Sequence, residues 1–349
     1  MRSTTRAAFN AYLLAQASLH GLASGADLAH GFTVTPTRQQ RLEEKIQESA
    51  DFLKRINVVP VIEQEGAVLG LGIAGPIASR TDTSGAGRRT PRETHTLEER
   101  TYRCEKTNYD TKIRYATLDT WAKFPDFQLR VRGQVVTRCG LDRIMIGFNG
   151  ASVAANTNLA NFPLLQDVNK GWLQHIREDA PAQRMGHGQL DANKVYVDGA
   201  ARFATPQKAD YANLDALVVD AIQLLDPWYR ESTDLVAICG RDLMHDKYFP
   251  IIDQDEKPTE ILAGQVVVSQ KRMGGLPAVT VPFFPANAIL VTSLDNLSIY
   301  YQEGARRSRT KDAPEADQIE TYESSNDAYV VEEYGKVAFI ENIQLGPKA

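Results

Sequence analysis

Gly70-Leu-Gly72-Ile-Ala-Gly75 matches the spacing GxGxxG, in which glycines let a turn close on a pyrophosphate held by a helix N-terminus. That chemistry needs a helix to open directly behind the last glycine. Here Pro76 follows, then Ser79, Thr81, Asp82, Thr83, Ser84 and Gly85, with no apolar helical face among them. The segment reads as a loop, and a nucleotide-binding enzyme built on Gly70, Gly72 and Gly75 stands only as the alternative function. Other chemistry is equally thin. No Walker A, HExxH or GxSxG pattern occurs. Asp253-Gln-Asp255 has the opening of a calcium loop, but Pro258 stands where that loop needs glycine. The six histidines are scattered, with no pair at ligand spacing. Cys104, Cys139 and Cys239 lie far apart without a CxxC pair, which argues for reduced thiols and against both a disulfide framework and a structural zinc. The residues therefore nominate no catalytic group, no cofactor and no metal ligand.

Charge offers the next candidate. The net charge of −5 does not mark a nucleic-acid binder. Its distribution is uneven: residues 80–143 hold 14 Lys and Arg against 9 Asp and Glu, and residues 144–349 hold 18 against 28. The two stretches are thus net +5 and −10. Solvated faces account for this, and so does a basic segment of one copy meeting the acidic body of another. Arg80, Arg88, Arg89, Arg92, Arg100 and Arg103 have no aromatic residue among them before Tyr102, which disfavours a single-strand stacking platform. Phosphate contact and inter-subunit contact both stay open.

Elements must hold these residues, and 349 residues at about 150 per domain suggest about two domains. No run of about 18 apolar residues exists to span a membrane. Residues 1–31 stand apart, with one acid (Asp27) and a short helical face of Phe9, Tyr12, Leu13, Gln16 and Leu19. The apolar core is too short and interrupted for a secretory signal, and the acid-poor composition also suits a transit peptide. A detachable helix followed by a flexible link from Gly31 to Pro36 is the favoured reading. Thr37 and Gln40 then form a capping box for a helix carrying Leu42, Ile46, Ala50 and Leu53. Residues 56–62 read as a strand that Pro60 confines to an edge or a bulge.

Residues 63–112 are the oddest stretch, with glycines at 66, 70, 72, 75, 85 and 87 and loose polar–aromatic alternation from Arg100 onward. An extended two-stranded loop fits, and it buries too little apolar area to stand alone, so its support is another subunit. Pro125 opens a long helix to Asn149, with Phe127, Val131, Val135 and Cys139 stepping by four along the side that packs on the body. Those residues span ~37 Å at 1.5 Å each. Gly133, Gly140 and Gly147 each weaken the helix by about 1 kcal/mol relative to Ala. Residues 151–209 are loop-rich. A compact mixed region follows, with a helix over 214–225 and strands over 235–239, 278–281, 288–292, 297–301, 319–323, 329–333 and 337–343; residues 261–269 fit helix or strand equally.

Helix, strand, glycine-rich arm, spine helix, compact mixed region and returning strands come in an unusual order. It resembles the Hong Kong 97-type capsid fold of tailed phages. The residues go further, in NAYL at 10–13, QESADFLKRINVVPV at 47–61, IAGPIASRTDT at 73–83, IRYATLDTWAKFPDFQLRVR at 113–132 and LDRIMIGFNG at 141–150. LQDVNKGWLQ at 165–174, YANLDALVVD at 211–220, DKYFPI at 246–251, SQKR at 269–272, LPAVTVP at 276–282 and NLSIYY at 296–301 continue the likeness. The chain resembles the major capsid proteins of P2-like contractile-tailed phages, the gpN family, from about Asn10 to Gln344.

That resemblance implies an α+β capsid fold with an assembly segment at 1–31 that is removed, an N-terminal arm at 32–62 and an extended loop at 63–112. It also implies a peripheral domain with the spine helix at 113–209, a mainly axial domain at 210–300 and returning peripheral strands at 301–349. The implied function is a structural protein, not an enzyme, that assembles with itself as pentamers and hexamers into an icosahedral shell around double-stranded DNA. Implied partners are a scaffold, a head maturation protease, a portal protein and the packaged DNA held without sequence preference, and no membrane. The implied place is the virion, after assembly in the bacterial cytoplasm. The one implied site is the maturation cleavage near Gly31, between Ala29 and Val34. Two stretches depart from the family, Gly85 to Thr96 at the arm tip and Arg184 to Ala204, and no motif for Lys–Asn cross-linking is present.

Overall fold

The structure is a computed structural model describing residues 2–20, 22–69, 72–73, 78–84, 88–89, 95–96, 99–121, 127–252 and 271–349. Expectations for Gly70, Gly75, Arg92, Pro125, Asp253, Asp255, residues 261–269 and most of the arm tip fall outside those residues. The chain gathers into two compact units, and neither follows sequence order. The first takes Met1–Gln64, Arg103–Gln174 and Ser298–Val330; the second takes Glu65–Tyr102, His175–Leu297 and Val331–Ala349. Residues 301–349, read from the sequence as one set of returning strands, contribute to both.

The first unit is built on a seven-stranded sheet whose path runs Phe32–Thr33, Arg307–Ala313, Gln318–Val331, Leu297–Gln302, Asn57–Val61. Glu105–Asn108 and Thr111–Arg114 pair antiparallel along the same long Gln318–Val331 strand. The sequence pattern suggests two strands there. They are one, because polar residues Ser324 to Asp327 between them are tied in ladder register to Asn108 through Glu105. Arg307–Ala313 carries no apolar alternation at all and forms because it pairs antiparallel with 318–324 across a turn with Asp317 at φ 50°. Pro60 sits on the terminal strand of the path, opposite Tyr301 in a parallel pair, where its missing N–H costs no ladder bond.

Four α-helices lie wholly in this unit among the described residues, and three of them matter most here; the fourth is the short Tyr115–Trp121. Ser3–His20 is the N-terminal helix. The second, Pro36–Glu48, starts two residues earlier than the proposed box requires: Thr35 is the N-cap and Pro36 the first helical residue, so Thr37 lies inside the helix. Proline at that position has no N–H to leave unpaired and a φ already suited to helix. The link expected to be flexible is ordered, with Phe32–Thr33 paired to Ser308 and Arg307 and the Val34 N–H donating to the Arg306 carbonyl at 2.9 Å. The spine helix, Phe127–Asn149, is buried over its C-terminal half, from Cys139 to Phe148. Val131 and Val135, expected on the packed side, are only half-buried. Two of its three glycines are there for close approach. A Cβ on Gly147 would run into the Trp172 ring, and one on Gly140 would lie 2.6 Å from Ser49 Oγ, whereas Gly133 has open space.

The second unit has a six-stranded mixed sheet ordered Arg272–Met273, Leu276–Val279, Val236–Cys239, Ile289–Thr292, Ala338–Ile340, Arg184–Met185. Val236–Cys239 and Ile289–Thr292 are buried at every position, as continuous apolar runs covered on both faces should be. Leu214–Ala221 packs on them, and the Asn213 side chain caps it by accepting the Ala216 N–H at 2.8 Å. The closing strand expected over 337–343 is broken at Asn342, φ 60°, into Ala338–Ile340 and Ile343–Leu345. The first joins the large sheet; the second pairs parallel with Val195–Val197.

Candidate functional site

The groups that suggested small-molecule chemistry are placed for structure. Gly72 and Ile73 pair antiparallel with Thr96 and His95, so Gly72 lies in a ladder and not at a helix N-terminus. This removes the context a pyrophosphate site requires. All three cysteines are free and buried. Burial pushes the Cys104 thiol up to about 12 and those of Cys139 and Cys239 up to about 11, which leaves them protonated and unreactive at neutral pH. No metal-binding group of His, Cys, Asp and Glu exists among the described residues. Arg100 is spent on its own fold: it donates to the Val331 and Glu332 carbonyls and stacks over the Tyr334 ring at 4.7 Å. Arg103 pairs with Glu105 at 3.0 Å, while Arg80, Arg88 and Arg89 are exposed.

The two-stranded loop is present. Glu65–Leu69 neighbours Glu99–Arg103, and Gly72–Ile73 continues beside His95–Thr96. Tyr102 lies across Gly66, where a Cβ would come within 2.7 Å of its hydroxyl. Among its described residues from 63 to 112, Val68 and Cys104 are the buried hydrophobic side chains.

The first unit holds an ionic centre that the sequence reading missed. Arg143 of the spine helix is 2% exposed and grips two carboxylates. Its Nε and Nη2 donate to Asp327 Oδ2 and Oδ1 at 3.2 and 3.0 Å, and its other donors reach Glu43 of the Pro36–Glu48 helix. Arg306 bridges Glu43 at 3.3 Å and Glu323 at 2.6 Å. Ser325 Oγ and Tyr109 Oη add donors to Asp327 at 3.0 and 3.3 Å, and Asn169 Nδ2 donates to its carbonyl at 2.8 Å. Burial opposes the charge on Arg143, but Asp327 and Glu43 hold its guanidinium protonated far above the ordinary value. Beside the centre, Phe52, Phe148, Trp172 and Tyr329 pack edge to face, with Trp172 centroids 5.1 Å from Phe148 and 5.4 Å from Tyr329. The centre therefore locks two helices, the long strand and the foot of the loop in one arrangement. A visible signal existed: Arg143 stands inside the apolar run of 141–148, and Glu43 lies three residues from Ile46 on one helical face.

The N-terminal segment is docked, not loose. Phe9, Tyr12 and Leu13 pack on Ile113, Tyr115, Leu118 and Ile319. Arg6 and the Tyr115 hydroxyl both reach Asp312, and the Arg2 N–H donates to Asp119 at 2.9 Å. A short turn, Gly25–Ala29, ends at an exposed His30 and Gly31, and a Cβ on Gly31 would touch nothing within 4 Å.

A chain whose polar centre and docked segments serve its own architecture, with no metal-binding group among the described residues, is similar along its whole length to shell proteins. Residues 8–343 match the model of the family described as phage major capsid protein, P2 family. Capsid proteins of Escherichia phage P2 are 46% identical over 99% of this chain and 96% of theirs. The major capsid protein of Serratia phage KSP20 is 42% identical over 98% of this chain and 97% of its own. Among solved structures, the satellite phage P4 procapsid including size determination (Sid) protein contains a chain 43% identical, with a TM-score of 0.80 and full coverage of both chains. The fold is thus the α+β capsid fold of the Hong Kong 97 type, the nucleotide-binding alternative has no support, and the chain belongs to the P2 family of phage major capsid proteins.

Proposed function

We propose that this capsid protein assembles with itself as pentamers and hexamers into an icosahedral head shell, and that residues 1–31 serve assembly and are then cut away. The observation that carries the second part is the contrast at residues 29–34. Docked elements lie on either side, the turn Gly25–Ala29 and the Phe32–Thr33 pair, and between them His30 and Gly31 are exposed. An exposed, irregular stretch between anchored elements suits a protease that must bind an extended chain. The N-terminal helix is held by a small apolar patch and one partly exposed ion pair, which suits a segment destined to leave.

In this reading 32–62 is the arm, 63–112 the extended loop that lies on a neighbour, 113–209 and 301–349 the peripheral domain and 210–300 mainly the axial domain. A scaffold and a head protease act on the precursor in the host cytoplasm, a portal takes one vertex, and double-stranded DNA fills the shell without sequence recognition. Intact-mass analysis of subunits from mature heads tests the cleavage. A first residue between Ala29 and Val34 is expected, and chains that retain residue 1 in filled heads would overturn it.

A further inference from the structure

Residues 151–164 follow the spine helix and read ASVAANTNLANFPL, with no Asp, Glu, Lys or Arg in a chain that is 24% charged. Every one of them is exposed. A solvated loop of this length normally turns polar side chains outward. Here large apolar side chains are exposed beside the polar ones. Leu159 is 66% exposed, Val153 46%, Phe162 42% and Leu164 37%. Asn158, Gln166 and Asp167 tie down the loop's own backbone. Asp167, itself buried, accepts the Asn158 N–H at 2.6 Å, and its carbonyl accepts the Ala154 N–H at 2.9 Å. Asn158 Oδ1 takes the N–H groups of Ala160 and Asn161 at 3.0 and 3.2 Å. Gln166 accepts the Ala151 N–H on its carbonyl at 2.7 Å and the Leu164 N–H on its side chain at 3.0 Å.

The foot is equally fixed. Gly171 N–H donates to the Gly150 carbonyl at 3.1 Å, and a Cβ on Gly150 would collide with the Asn169 carbonyl. Leu165 is held at φ 57°, a left-handed conformation costly for a leucine. A loop so thoroughly pinned, with its apolar side chains pointing away from its own subunit, is preorganised to bind.

We infer that residues 151–164 are a subunit–subunit contact of the shell, occupied by a second copy of this chain. The inference rests on the reading that the chain assembles with copies of itself. Absence of charge with exposed Leu, Phe and Val is the composition of the desolvated centre of a protein interface. DNA is excluded as the occupant because the loop has no cation to neutralise phosphate. Asn156, Thr157 and Asn161, all exposed, supply the polar rim that hydrogen bonds across such a contact.

Two measurements on full-length protein, expressed with its head-assembly partners, test this. The double variant Leu159→Asp/Phe162→Asp should keep the wild-type circular dichroism spectrum and yield at least tenfold fewer sedimenting particles. A photo-cross-linking benzoylphenylalanine at position 162 should give a covalent dimer of the subunit in particles and none in unassembled protein. Normal particle yield from the double variant, or cross-links in particles only to a different polypeptide, would overturn the contact while leaving the shell reading intact. Wild-type protein that forms no particles would overturn both.

Discussion

The two units solve the problem of burial in opposite ways. The second rests mainly on aliphatic packing: Leu217, Val218, Ala237, Ile289, Val291 and Ile340 meet in one core, and its buried carboxylate, Glu341, pairs with the partly exposed Arg177 and Arg184. The first places Arg143, Glu43, Asp327 and Arg306 among its most buried side chains. Aliphatic packing is tolerant, since cores survive repacking when volume and pattern are kept. A buried ion network is not. It repays the desolvation of its charges only when every partner is in place, so it stabilises little over an apolar core yet rejects other arrangements. The difference teaches where a shell subunit needs tolerance and where it needs one geometry. The unit bearing the spine helix is the one that its ion network fixes in a single arrangement.

The largest test of that contrast is Arg143→Met. It leaves Asp327 without its cation and Glu43 with Arg306 alone, and a loss of about 3–5 kcal/mol is expected by denaturant unfolding. A loss under about 1 kcal/mol would erase the distinction between the units. In the aliphatic core, Leu217→Ala should cost about 2–5 kcal/mol through lost burial and a cavity, yet leave a cooperative transition. Retention of wild-type stability there would mean that the second unit relaxes around the gap.

Glycine exchanges along the spine helix sharpen the contrast further. Gly147→Ala pushes a methyl into the Trp172 ring and should cost about 1–3 kcal/mol, whereas Gly133→Ala meets open space and should stabilise by up to about 1 kcal/mol. Thermal unfolding of the pair reads the opposite signs; equal signs would place the buried half of the helix elsewhere.

The smallest effect concerns acid. Burial raises the Asp312 carboxyl, but hydrogen bonds from Tyr115 and Arg6 outweigh it and hold the carboxyl below its ordinary value. A folded value below the unfolded one of about 3.9 adds stability that is present above that pH and lost as pH falls through the folded value. Docking of the N-terminal helix should therefore loosen below about pH 4, while the aliphatic unit holds. Ring resonances of Phe9 and Tyr115 would report it, and Asp312→Asn should remove the pH dependence. Unchanged resonances in the wild type down to pH 3 would show that the apolar patch alone holds the helix.

The elements most visible in the sequence were those whose residues carry their own reason. Val236–Cys239, Ile289–Thr292 and Leu214–Ala221 are apolar runs or faces that must be buried, and Pro60 marks an edge. Arg307–Ala313 was illegible because charged residues form a strand there only when Gln318–Val331 supplies the ladder. The spine helix was legible in extent, but its packed half was not: the four-residue stripe pointed to Val131 and Val135, while burial lies from Cys139 to Phe148. Glycines counted as weaknesses at 140 and 147 are fitted contacts, which needs Ser49 and Trp172 to be known as neighbours.

Residue pattern was enough for the family, the α+β class and the apolar runs of the second unit's core. Local propensity, apolar periodicity and chain-long likeness are properties of residues near one another in sequence, so these were readable. Tertiary structure alone decided that Glu43, Arg143, Asp327 and Arg306 meet, that the chain's last strands divide between two units, and that a charge-free loop turns its leucine and phenylalanine outward. Arg143 lies 184 residues from Asp327 and 100 from Glu43. Coulomb attraction at 3 Å is strong only after water has been excluded by packing from every side, and no stretch of sequence encodes that exclusion on its own.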